Sequence, residues 1–382
     1  MLFLYEVVMS VIVIKKVETK SDLNRFIKCQ WNFYKNDPYW VPPLLMERKH
    51  LLNKQKNPFF QDASADYFIA ERDGVIVGRI AAIKNDVHLK YHNDNAGFFG
   101  FFECINDQEV ANLLFDTAKN WLKEKGLTNM MGPANPSSND EWGMLIDGYE
   151  DSPRLLMTYN PKYYNDLCSN YGMKKAKDLY AYKLENHKVM GSEKLKRVQQ
   201  IARDRYKLKI SQLDMKNFAK ELEKVKYVYN KAWAPNWGFI PMSEAQIDAM
   251  AKDLKQLAEP SLVLFGEIDN NLVGFALVML DYNYVFKQMN GRLLPFDFLK
   301  LFTMKKGIKW ARIITLGIIP EHQKKGLDAV FYWEIVNRAH ALGIDLGEAS
   351  WVLEDNDMMN RGATVMGGIV YKTYRIWEKT VN

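Results

Sequence analysis

The 382 residues predict an α/β protein in which one mixed-sheet unit occurs twice. Three observations predict it. The order strand, helix, three strands, helix, strand, helix, strand can be read once in each half. Two short hairpin signals, Asp73-Gly74 and Asp269-Asn270-Asn271, stand between apolar runs at matching places in the two halves. Hydrophobic residues make up 48%, charged residues 26% and aromatics 13%, which is enough to core two domains and argues against disorder.

The first unit is assigned to residues 9–185. Val11 to Val17 reads as a strand. Ser21 and Asp22 open a helix reaching Tyr34, with Leu23, Phe26, Ile27 and Trp31 at helical spacing. Asn36 to Leu44 is a Pro-rich loop. Tyr67 to Ala70 and Val75 to Ile83 are strands flanking Asp73-Gly74. Gly97 to Cys104 is a buried strand, and Asp107 to Lys125 an amphipathic helix closed by Gly126. A strand and the polar loop "GPANPSSNDEWG" follow. Asn160 to Tyr171 is a short helix and Ala176 to Leu184 the last strand.

Residues 186–207 are charged and periodic, a connecting helix. The second unit takes residues 208–382. Its strands are Leu208 to Leu213, Ser261 to Ile268, Leu272 to Leu280, Ile313 to Ile319 and Glu348 to Leu353, with two more near Gly368 to Lys379. Helices are expected at Met215 to Trp233, Ser243 to Leu257 and Lys324 to Leu342, with a short one after Leu353. Residues 281–307 form an insertion rich in Phe, Leu, Lys and Arg. It is expected to cover the junction of the two units, a lid over an acyl or peptide site being the alternative, rather than lie on a membrane, because Asp297 interrupts its basic face.

Net charge is +6 and pI about 8.8, which suits an anionic ligand without requiring nucleic acid. Cys29, Cys104 and Cys168 are scattered, with no paired spacing, as in a reducing cytoplasm. His88 and His92 are four apart but no third ligand is visible, so no metal is expected. The start, with Glu6 and Ser10, lacks the layout of a signal peptide and is too short to span a membrane. Met9 is an alternative start.

The stretch "LGIIPEHQKKGLDA" (Leu316 to Ala329) resembles motif A of the GNAT acetyltransferase superfamily, with Pro320, Gln323 and Gly326 at the matching spacings. "LEDNDMMNRGATVMGGIVY" (Leu353 to Tyr371) is similar to that family's segment in which a strand ends in Asn and a helix follows, with Asn356 and Gly367 in place. The resemblance implies two tandem GNAT-like acyl-CoA N-acyltransferase folds. It implies acetyl-CoA or another acyl-CoA as co-substrate, its pyrophosphate held by Gln323, Lys324, Lys325, Gly326 and Leu327. Main-chain groups around Leu316 and Ile318 would meet the pantetheine arm, and Asn356 would lie beside it. The physical basis is the unpaired, positively polarised N–H groups of a helix start, with a glycine that lets phosphate approach. The implied reaction is direct acyl transfer to a small-molecule or peptide amine in a ternary complex. Two other readings stay open: a Fem-type aminoacyl transferase using aminoacyl-tRNA, and a non-catalytic CoA-binding protein.

The chain departs from the family pattern twice. Asp328 stands where the family prefers Gly or Ala, and Ala363 where many members carry a Tyr acid. The first unit lacks the glycine loop and enters its helix through Glu103, Asn106, Asp107 and Glu109, so it reads as a degenerate copy. Within "SSNDEWG", Asn139, Asp140, Glu141 and Trp142 are candidate cleft residues and Glu141 a candidate base; a capped polar turn is the alternative. Tyr164 is the candidate Tyr acid, against the alternative of core packing.

Overall fold

The structure is a computed structural model that describes residues 11–233 and 236–381. The alternative start at Met9 lies outside the described residues. The first half runs β1 (Ile12–Lys16), α1 (Lys20–Lys28), α2 (Gln30–Phe33), α3 (Leu45–Leu51), β2 (Ala63–Arg72), β3 (Val75–Asn85), α4 (Asp86–His92), β4 (Ala96–Cys104) and α5 (Gln108–Glu124). It continues with β5 (Asn129–Gly132), β6 (Ala134–Asn135), β7 (Glu141–Trp142), β8 (Met144–Asp147), α6 (Tyr163–Asn170) and β9 (Lys174–Glu185). The connector holds α7 (Asn186–Met190) and α8 (Glu193–Tyr206). The second half begins β10 (Lys209–Gln212), α9 (Phe218–Ala232), α10 (Glu244–Lys255), β11 (Val263–Ile268) and β12 (Asn271–Leu280). The insertion carries α11 (Asn283–Met289) and α12 (Lys300–Thr303). Then come β13 (Trp310–Ile318), α13 (Leu327–Ala341), β14 (Leu346–Leu353), α14 (Asp357–Val365) and β15 (Ile369–Thr380).

Local chemistry explains most of this order. Both hairpins turn on two successive residues with positive φ: Asp73 and Gly74 at 51° and 78°, Asp269 and Asn270 at 50° and 62°. That is the turn whose twist matches paired strands. Capping boxes start two helices, Thr19 with Asp22 and Ser243 with Gln246. The first of these puts the cap at Thr19 rather than Ser21. Several expected elements differ: the helix expected to Tyr34 is divided at Cys29 into α1 and α2, and the connecting helix into α7 and α8. The helix expected from Lys324 starts at Leu327, because Lys324 and Gly326 take φ of 59° and 72° and break the helical path. The two strands expected near the end are one, β15.

Thirteen strands form one sheet in the order β1-β2-β3-β4-β5-β15-β9-β14-β13-β12-β11-β10, with β8 also on β15. The last strand of each half has changed sides. Antiparallel β9 pairs Leu184 with Gly347 of β14, and β15 pairs Trp377 with Gly132 of β5. The two strands also pair with each other at the centre. The halves therefore share a backbone ladder, and each sheet needs the other half's final strand to be continuous.

The insertion spans the junction, with Leu293, Leu301 and Met304 on the second half's core and polar contacts to the first half. Trp31 Nε1 donates to Asn290 Oδ1 at 2.8 Å, Leu45 N–H to Gly291 O at 3.0 Å, and Asn283 Nδ2 to Pro153 O at 2.8 Å. Among the described residues no helix is long and apolar enough to cross a membrane, no three His, Cys, Asp or Glu side chains group as a metal site, and the three cysteines are free and buried.

Candidate active site

The site starts where two parallel strands part. β13 and β14 pair from Trp310 opposite Leu346 to Ile313 opposite Ala349, and no further. From Ile314 to Ile318, β13 pairs only with β12, whose register slips between Leu277 and Val278. The slip is an irregularity of the kind that bends a strand away from its neighbour. The β13 edge facing β14 is thus open over Ile314–Ile318.

β13 leads into a turn over Pro320–His322, where Gln323 Nε2 donates to Ile318 O at 2.9 Å and folds the loop back on the strand. Gly326 is the N-cap of α13 and supplies no side-chain cap. The N–H groups of Lys324 to Asp328 have no backbone acceptor among the described residues. The connecting helix α8 backs this loop. A Cβ on Gly326 would stand 3.3 Å from Val198, Lys325 Nζ lies 5.7 Å from the Tyr206 ring, and Arg203 pairs with Glu334 at 2.5 Å.

A cavity of about 790 Å³ opens at the parting strands. Its floor crosses the second sheet along one line of neighbours: Thr315 opposite Leu277, Leu277 opposite Val263, and Val263 O accepting from Leu213 N–H at 2.9 Å. Three strand spacings make that line about 14 Å long. Leu222, Val225 and Tyr229 of α9 and Met250, Ala251 and Leu254 of α10 form its roof. Trp233 rests on β13 at Gly317, where any Cβ would come within 2.1 Å of the indole.

Polar groups gather at the open end. Asp140 faces the cavity, and Ser137 Oγ donates to its carboxylate at 2.6 Å; burial pushes the Asp140 carboxyl up to about 6. Tyr229 hydroxyl donates to Asn139 Oδ1 at 2.9 Å, joining the two halves. Asp328 also faces the cavity, and burial raises its carboxyl above the ordinary range, against the N–H of Ala329. Tyr332, one turn further along α13, lines the wall. Among the described residues its hydroxyl has only Met359 Sδ, at 3.8 Å. Burial, then Asp328, raise its phenol.

Beneath the opening lies a buried charge pair. Arg312 and Glu348 are directly opposed on β13 and β14, Nε to Oε1 at 3.5 Å, with Glu348 wholly buried. Ser350 Oγ accepts from Arg312 Nε at 2.9 Å and donates to Glu348 at 2.6 Å, Tyr371 hydroxyl donates to Glu348, and Arg312 Nη1 donates to Leu155 O at 2.8 Å. Burial pushes the Arg312 guanidinium down, against the pull of Glu348. The network locks the last paired residues before the strands part and ties them to the first half.

No protein-family model matches the chain. It is 36% identical over 378 residues to the bacterial ceramide synthase of Caulobacter vibrioides, covering 96% of each chain. It is 31% identical over 368 residues to the protein YghO of Escherichia coli, covering 95% of this chain and 94% of that one. Among solved structures, a tandem GNAT protein of the clavulanic acid pathway superposes with a TM-score of 0.56 at 10% identity, over 97% of this chain and 99% of that chain. The glucosamine N-acetyltransferase region of a fungal multi-domain protein gives 0.56 at 11% identity, over 98% of this chain and 38% of that chain. The chain belongs to the family of the bacterial ceramide synthase, and its fold is that of a tandem GNAT protein.

In this member of the family, Leu316, Ile318, Gln323, Lys324, Leu327 and Asn356 all line the cavity. Lys325 and Gly326 lie between lining neighbours without lining it themselves. Asn356 is also a cap: its Oδ1 accepts from Met359 N–H at 3.2 Å. The two candidate catalytic residues lie elsewhere. Glu141 is outside the lining, ion-paired with Arg48 and accepting from Asn135 Nδ2 at 3.2 Å. Tyr164 is wholly buried in the first copy's core, its hydroxyl between Glu103 Oε2 at 2.8 Å and Cys104 N–H at 2.9 Å. Neither reaches the cavity. Sequence reading passed over Tyr332, hidden in an apolar helix, and the Arg312–Glu348 pair. A signal for the pair existed: each is a lone charge inside an apolar strand run.

Proposed function

We infer that the protein is a long-chain acyl-CoA N-acyltransferase whose acceptor is a long-chain amino alcohol, so that its product is a ceramide-type amide. One observation carries this reading: the cavity does not end at the parting strands but continues about 14 Å across the sheet under α9 and α10. An acetyl group needs none of that apolar length; a hydrocarbon chain does. The relationship to the Caulobacter ceramide synthase supports the same class.

The residues present suit an acyl-CoA. The free N–H groups of Lys324 to Leu327 offer donors to a pyrophosphate, and the open β13 edge offers main-chain groups to the pantetheine amides. The acceptor nitrogen, once deprotonated, attacks the thioester carbonyl. A C–N bond forms, the C–S bond breaks and coenzyme A leaves as thiolate. Asp140 takes the amine proton, its raised carboxyl being better matched to neutral pH than an ordinary one. A backbone N–H of the open edge steadies the developing oxyanion. Tyr332 gives its proton to the thiolate. It takes the place of the tyrosine missing at Ala363, against which α13 packs: a Cβ on the neighbouring Gly362 would lie 3.9 Å from the Tyr332 ring.

Release of free thiol from acetyl-, octanoyl- and palmitoyl-CoA, each with a long-chain amino alcohol, tests the reading. Palmitoyl-CoA is expected to exceed acetyl-CoA in kcat/KM by at least about tenfold. Equal use of acetyl-CoA would overturn the long-chain assignment. Transfer only from aminoacyl-tRNA would replace it with the Fem-type reading, and CoA binding without any transfer with the non-catalytic one.

A further inference from the structure

The insertion turns an apolar face outward. Its inner side, with Leu293, Leu301 and Met304, packs on the second half's core. Within nine residues of it, Leu294, Phe296, Phe298, Leu299 and Phe302 point to solvent, Phe296 and Phe302 at 74% and 73% exposure. Two aromatic rings that open to water, with three further apolar side chains beside them, exceed the single scattered residues normal on a surface.

The segment's own charge is almost all of one sign, and Glu259 of a neighbouring turn is taken up by Lys305 at 3.0 Å. The only acid from Asn283 to Gly307 is Asp297, and Lys300 Nζ neutralises it at 2.6 Å. Arg292 and Lys306 are exposed, with no carboxylate partner among the described residues. The interruption expected at Asp297 is therefore internal to one ion pair, and the free charge left over is positive.

We propose that the insertion docks the protein on an anionic bilayer surface, Phe296 and Phe302 entering the headgroup boundary and Arg292 and Lys306 meeting lipid phosphates. Apolar rings with basic neighbours and a low content of free acid are the pattern of an interfacial segment. A second copy of the chain fits less well, because a two-fold contact would set the same free cations against each other. Choosing a bilayer over a soluble partner also rests on the long-chain amine reading: such an acceptor resides in membrane, and a docked enzyme draws it from there. Docking on one face is distinct from spanning.

Sedimentation of the full chain with vesicles of phosphatidylcholine alone, and with added phosphatidylglycerol, tests this. Wild type is expected on the anionic vesicles, with binding weakened by salt. Phe296→Ser with Phe302→Ser is expected to cut vesicle binding about tenfold or more at an unchanged melting temperature, since both side chains are exposed. Arg292→Glu with Lys306→Glu should remove the preference for the anionic lipid. Failure of wild type to bind, or undiminished binding by the Ser variant, would overturn the proposal. So would a dimer in solution that the Ser variant dissociates. Vesicle binding needs no substrate, so its failure and a failure of acyl transfer are read separately.

Discussion

The two copies start the same helix in opposite ways. In the first, Asp107 caps α5, accepting from the N–H groups of Glu109 and Val110 at 2.9 and 3.4 Å, and pairs with Arg72 at 2.7 Å. Burial opposes it, but the Arg72 hydrogen bond and those N–H groups hold the Asp107 carboxyl below its ordinary range. In the second, Gly326 brings no side chain to α13, and the matching N–H groups, those of Asp328 and Ala329, meet the Asp328 carboxyl instead. The strands part in both copies: β4 and β5 pair only from Ala96 opposite Asn129 to Phe98 opposite Met131. In the first, protein fills the gap. A Cβ on Gly100 would fall 1.8 Å from Ala134 O, and Phe101 N–H donates to Asn135 Oδ1 at 2.6 Å. In the second, the gap opens into the 790 Å³ cavity. One scaffold therefore closes its helix start with a charge-paired carboxylate in one place and, in the other, leaves the loop donors from Lys324 to Leu327 for an anion.

The largest expected effect comes from making the second copy imitate the first. Gly326→Asp supplies a carboxylate cap, and calorimetry should show coenzyme A affinity falling about 100-fold. Gly326→Asn accepts the same positive φ without charge and should lose only several-fold. Equal losses would mean that charge at this helix start is irrelevant. Next, Asp140→Asn is expected to lower kcat/KM about 100-fold and to remove the rise of activity as pH passes about 6, since the deprotonated carboxylate is the active form. Glu141→Gln should instead reduce stability by about 1–2 kcal/mol through Arg48, a pair only partly screened from water, while keeping the rise with pH and moving it to lower pH, because the Glu141 charge helps raise the Asp140 carboxyl. The reverse pattern would reinstate Glu141 as base.

A smaller effect is expected from Tyr332→Phe, about tenfold in kcat with coenzyme A affinity unchanged, because the hydroxyl has only a weak sulfur partner to lose. An unaltered kcat would assign the proton to water. The smallest concerns Asp328. A bound pyrophosphate favours its protonated form, so binding takes up a proton and affinity weakens as pH rises through the titration of Asp328. Asp328→Asn should tighten coenzyme A several-fold and flatten that slope. A slope that persists would place the linked proton elsewhere.

Much of the second copy was legible because its signals are local. A glycine before an apolar helix, a Pro six residues earlier after an apolar strand, and two-residue turns of Asp, Asn and Gly each act within a few residues. The same holds for the contrast between Asp107 and Gly326. Asp140 and Glu141 are different. They are adjacent, chemically alike and equally placed in one polar loop. Which of them faces the cavity depends on how the short β6–β7 ribbon meets Arg48 on one side and Tyr229 on the other. Tyr332 gave no signal, since a tyrosine in an apolar helix is ordinary core until the wall opposite it proves to be open.

The sequence by itself determined the duplicated α/β plan, the two hairpins and the uncapped helix start, because periodicity, turn chemistry and capping are short-range effects. Only the tertiary structure decided that β9 and β15 would exchange sides, that Arg312 and Glu348 would meet where β13 and β14 part, and that the space between the strands would be filled in one copy and open in the other. Those outcomes depend on which distant backbone edges find each other. Hydrogen bonding along an edge is nearly the same for any sequence, so the choice is made by the packing of whole faces.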